Sequence, residues 1–123
     1  MTGAAWARAG FAAGFCFGAL SHFWWVSVHG LFYHFERPAW AVAFWYVLCA
    51  FDFLAAGLLL RRPRAGLVVG NAVMAVSVSV NLLVFPSFEH GFNPIAAGLT
   101  AFGLLLAACS PWLWRASAVE QKW

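Results

Sequence analysis

The stretch Ala41-Val-Ala-Phe-Trp-Tyr-Val-Leu-Cys-Ala-Phe-Asp52-Phe-Leu-Ala-Ala-Gly-Leu-Leu-Leu60 decides the fold. It is long enough to cross a bilayer, and it carries a single charge near its middle. A lone carboxylate at that depth is expensive, so Asp52 must be paired, protonated or used. The run does not alternate as a barrel strand would, and it is too long for one.

Working outward, three further apolar segments emerge: Arg8 to Val28, Gly66 to Phe85 and Pro94 to Trp114, beside Ala39 to Leu60. Each is near the roughly 20 residues that a membrane helix needs. The 123-residue chain is 64% hydrophobic and 9% charged, where a soluble domain carries roughly a quarter charged residues. The expectation is an all-α, four-helix transmembrane bundle, antiparallel and up-down-up-down, with residues 1–123 forming one integral membrane domain. Arg8 precedes the first apolar run as in a secretory leader, but that run continues through Trp24 and Trp25 without a small-x-small cleavage site, so it reads as a retained helix.

Basic residues gather at Arg8, at Arg61-Arg62-Pro63-Arg64, and at Arg115 and Lys122, whereas the other loops hold Arg37 with Glu36 and Glu89. An excess of Lys and Arg marks the cytoplasmic side, which predicts both termini inside a bacterial-type cytoplasmic (inner) membrane. The net charge of +3 then reflects topology rather than nucleic-acid binding. Trp24, Trp25, Trp40 and Trp45 are expected at the outer boundary and Trp6, Trp112 and Trp114 at the inner one, where indole rings sit at headgroup level. Cys16, Cys49 and Cys109 all fall inside spans. Their odd number argues against a disulfide framework, and they read as small apolar packing residues.

Gly10, Gly14, Gly18 and His22 recur every four residues and share one face of the first helix. That face suits close helix packing, within the bundle, with a membrane-protein partner or between copies of the chain. Gly18-x-x-x-His22 also resembles the spacing of light-harvesting antenna and haem-binding helices. A bis-histidine haem needs a second histidine at similar depth, and the other spans contain none. His29, His34, Glu36, Glu89 and His90 could gather at the outer surface, where imidazoles and carboxylates suit zinc, copper or iron.

Counting about 1.5 Å per residue from the cytoplasmic edge brings Asp52 level with Asn71 to Ser77, and His22, Tyr46 and Asn81 to one shared level. His22, Tyr46, Asp52, Asn71, Ser77 and Asn81 are therefore the candidates for a ligand pocket or proton path. No residue pattern identifies a cofactor. The histidines do not resemble the His-x-x-His boxes of membrane di-iron hydroxylases, and no nucleophile elbow accompanies Ser21, Ser77, Ser79 or Ser110. The small multidrug transporters rely on a glutamate in their first helix, and none is present here.

Cys49-Ala-Phe-Asp52-Phe-Leu-Ala-Ala-Gly57-Leu-Leu-Leu60-Arg-Arg, followed by the apolar segment from Gly66, resembles the small DoxX-like four-helix proteins. Their second helix often has an acidic residue, a small and leucine-rich run, and then a basic turn. Aspartate stands here where glutamate is more usual, and the glycine-histidine stripe has no counterpart. The resemblance implies a compact four-helix bundle and, for some relatives, membrane subunits tied to sulfur or quinone redox chemistry. Two functions are expected from the whole reading. The first is a non-catalytic accessory or structural subunit of an inner-membrane complex. The second is a binding protein for a small hydrophobic or redox ligand, quinone-like, around Asp52 and His22. A proton-coupled transporter ranks below both.

Overall fold

The computed structural model describes residues 2–30, 39–84 and 94–120. All of these except Thr2, Gly30 and Arg62 are helical, in α1 (Gly3–His29), α2 (Ala39–Arg61), α3 (Pro63–Val84) and α4 (Pro94–Glu120). Each helix is long and apolar enough to cross a membrane, and no strand occurs among the described residues. Helices suit that solvent because every backbone group in the hydrocarbon must find its partner within the segment.

The helix ends have local causes. The Thr2 hydroxyl accepts a hydrogen bond from the Ala5 amide at 3.2 Å, capping α1 five residues before the apolar run expected from Arg8. At the other end Gly30 adopts φ 85° and ψ 166°, a conformation almost confined to glycine, while its amide donates to the Val26 carbonyl at 2.8 Å. Arg62 alone separates α2 from α3: its amide donates to Leu58 O at 2.7 Å, and its own carbonyl accepts from Gly66 N at 2.9 Å. Pro63 fits the first position of α3, where a missing N–H costs nothing, so α3 begins there rather than at Gly66. α4 likewise runs past Trp114 to Glu120, because hydropathy marks the hydrocarbon and not the end of backbone pairing.

Each helix buries one stripe. On α2 the buried positions are Trp45, Leu48, Asp52, Ala55, Ala56 and Leu59, three and four apart. On α1 they are Ala4, Arg8, Phe11, Ala12, Phe15 and Ala19. Trp24, Trp25, Trp40, Trp6, Trp112 and Trp114 are exposed, but Trp45 is not. It falls in register with Leu48 and Asp52 and joins the core instead.

Contacts are extensive between α1 and α2, α2 and α3, and α3 and α4, and lighter between α1 and α4. Aromatic edges make that last contact: Phe102 meets Phe15 edge-on at 5.4 Å and Phe11 at 5.7 Å between ring centroids. In lipid such packing, rather than exclusion of water, holds helices together. Gly70 lies under the Phe15 ring and Leu106, and Gly103 lies against Met74, so small residues of α3 and α4 set those approaches. Pro111 sits inside α4, one residue after Ser110, whose hydroxyl turns back to Leu106 O at 2.7 Å.

Candidate functional site at Asp52

Asp52 is inside because the spacing of its helix puts it there. It continues the Trp45–Leu48 stripe toward Ala55 and Leu59 and is only 6% exposed. The neighbour that makes room is Gly18 of α1. A Cβ on Gly18 would stand 3.3 Å from the Asp52 Oδ2 atom, so the carboxylate occupies the space that a side chain there would claim. Two flanking polar groups are turned elsewhere. The Cys49 thiol donates to Ala19 O at 3.7 Å and to Trp45 O at 3.8 Å, and the Ser21 hydroxyl donates to Gly18 O at 2.7 Å.

Among the described residues the Asp52 carboxylate has no hydrogen-bond donor and no ion-pair partner. Arg8, also buried, lies ten residues before Gly18 on α1, about 15 Å away along the axis at 1.5 Å per residue. A largely buried acidic group packed against Gly18 therefore keeps its polar capacity unspent. Such a group can accept from a hydroxyl or amine, donate when it carries a proton, or bind a cation.

The other candidates divide. His22, one turn beyond Gly18, and Tyr46 are half-buried. Asn71 belongs to a different contact: its amide donates to Leu67 O at 2.7 Å and to Ser110 Oγ at 2.8 Å, across to α4. Ser77 is buried, and the half-buried Asn81 donates to the Ser77 carbonyl at 2.8 Å within α3. The Asn71 and Asn81 amides of α3 are thus turned to their own helix and to α4, whereas Asp52 lies against Gly18 of α1. Ser110 is the partner that sequence reasoning missed, since a serine in a membrane helix carries no mark of what lies opposite.

The glycine stripe divides as well. Gly14 lies against the Phe102 ring, Gly18 against Asp52, and Gly10 has open space where a Cβ would be. Of the expected metal candidates, His34, Glu36, Glu89 and His90 lie outside the described residues, as does the His29 side chain. Among the described residues no group of three or more histidines, cysteines or carboxylates could hold a metal ion. No family model, no curated protein and no solved structure matches the chain.

Proposed function

We propose that this chain is a four-span protein of a bacterial-type cytoplasmic membrane that binds one small, mostly apolar molecule of quinone-like polarity at Asp52. One observation carries the reading: Asp52, a residue only 6% exposed and packed against Gly18 of α1, has a carboxylate whose hydrogen-bonding capacity is unspent among the described residues. A hydroxyl on a reduced ligand would donate to it, and a carbonyl on the oxidised form would accept from its protonated state. His22, one turn beyond Gly18 on α1, and Tyr46, six residues before Asp52 on α2, are the groups that would orient the ligand's other polar end, and the buried apolar residues that flank Asp52 along α2 would supply the apolar walls that such sites use. The resemblance of the Cys49–Arg62 run to DoxX-like proteins agrees with a redox-linked membrane role.

The proposed topology is up-down-up-down with both termini cytoplasmic. It is supported by the pairing of Gly18 with Asp52 and Ala19 with Cys49, of Met74 with Gly103 and Gly70 with Leu106, and by the single-residue turn at Arg62. The arginines at that turn then lie on the inside.

A second reading, an accessory subunit of a larger membrane assembly, is favoured by the exposed Phe17, Phe23, Phe51 and Phe53, which offer broad apolar faces. Purification in mild detergent separates the two. Organic extracts of the purified protein, read by mass spectrometry, are expected to hold one apolar molecule per chain that is missing from Asp52→Leu. Co-purifying polypeptides with no such molecule would favour the subunit reading, and a lone, ligand-free monomer would sink both.

A further inference from the structure

Arg64 stands in the first turn of α3 with its guanidinium over the Trp114 ring of α4, 5.3 Å from the ring centroid. Its Nε is buried and has no hydrogen-bond partner. A guanidinium presents its donors in a fixed fork, and Arg64, held over the Trp114 ring, has donor capacity at Nε that no described residue uses. Arg61 and Arg62, the two residues before Pro63, are exposed beside it. In the proposed topology the same end of the bundle also carries Arg8 of α1 and Arg115 of α4, against one acidic residue, Glu120. Pairing any one of these five arginines with Glu120 still leaves a surplus of positive charge. The exposed Trp114 and Trp112 mark this end as headgroup depth.

We infer that the Arg61–Arg64 turn, with Arg64 clamped on Trp114, binds the phosphate of an anionic phospholipid in the leaflet at that end. The inference rests on the proposed topology but not on the ligand at Asp52. Clustered arginines at the end of membrane helices are suited to such headgroups. The Trp114 ring keeps the Arg64 guanidinium at this end of the bundle, and the exposed Arg61 and Arg62 close on the remaining phosphate oxygens.

The test is lipid retention by native mass spectrometry. The full-length protein, released from detergent, is offered phosphatidylglycerol or phosphatidylcholine, with inorganic phosphate as a competitor. Phosphatidylglycerol is expected to be retained preferentially. Arg64→Gln should lower its retention about fivefold, the factor equivalent to about 1 kcal/mol. Trp114→Leu should lower it in the same direction, and phosphatidylcholine should be unaffected by either change. Asp52→Leu serves as the control, expected to retain phosphatidylglycerol as the parent does, so that loss of the Asp52 site and loss of this one are told apart. Equal retention of the two lipids, Arg64→Gln and Trp114→Leu variants that both retain phosphatidylglycerol like the parent, or full displacement by inorganic phosphate at equal concentration would each overturn the assignment.

Discussion

The Asp52 carboxylate and Gly18 fit one another: Oδ2 lies 3.3 Å from the point where any other residue at position 18 would place its Cβ. A helix of α1's length has many positions where alanine would serve better, since glycine costs about 1 kcal/mol in a helix interior. At position 18 that cost keeps a carboxylate enclosed without crushing it. The pair thus defines a polar spot among the buried apolar residues of α1 and α2, which include Ala19, Trp45, Leu48 and Ala55.

Asp52→Leu should leave the fold intact and stabilise it. Replacing a largely buried carboxyl that has no partner in the described residues by an apolar side chain of similar size is expected to raise stability by about 1–3 kcal/mol. Thermal unfolding in detergent, followed by circular dichroism, reads this directly. A drop of similar size would mean that Asp52 holds the helices together rather than serving a ligand.

Gly18→Ala tests the approach itself. The new methyl group would press on Oδ2 at a separation tighter than ordinary contact, so the carboxyl must shift by a few tenths of an ångström. Stability should change by less than about 1 kcal/mol, because alanine's helical preference offsets the crowding. Ligand content per chain in the organic extract should fall. Ligand content equal to that of the parent would show that nothing binds against this face.

Ser110→Ala separates the α3–α4 polar contact from the Asp52 site. It removes the acceptor of the 2.8 Å hydrogen bond from Asn71, and hydrogen bonds between membrane helices contribute about 0.6 kcal/mol on average. The melting temperature should fall slightly while ligand content stays constant. Loss of ligand here would join the two polar groups into one site.

Gly66→Ala should be the most damaging of these small changes. Its Cβ would meet the backbone of Leu58 and Leu59, with the Leu58 carbonyl carbon 2.6 Å away, and backbone cannot rotate aside as the Phe102 ring can at Gly14. A loss of about 1–3 kcal/mol is expected from such overpacking. Unfolding in detergent measures it, and an unchanged transition would show that the α2–α3 turn opens freely.

The helical architecture was legible because the solvent imposes it. Twenty-residue apolar runs such as Ala41 to Leu60 leave few alternatives, and Thr2, Pro63 and Arg62 at the ends add only boundaries. The burial of Asp52 was legible too, from its place among apolar residues. What could not be read was which neighbour each polar residue faces. Depth counting brought Asp52 level with the stretch from Asn71 to Ser77, yet level says nothing of azimuth. Asn71 turns to Ser110 and Asp52 to Gly18, because the rotation of each helix is set by contacts such as Phe15 on Gly70. Trp45 shows the same gap: an indole near a span's end reads as interfacial until the 45–48–52 register puts it inside.

The central claim is that Asp52 is reserved for a molecule other than this chain. An experimental density map of the protein purified in lipid nanodiscs, inspected between α1 and α2, addresses it directly. The account predicts non-protein density within hydrogen-bonding distance of the carboxyl group, about 2.5–3.2 Å. A carboxyl hydrogen-bonded to a protein side chain such as His22 or Tyr46, with no further density beside Gly18, would contradict it.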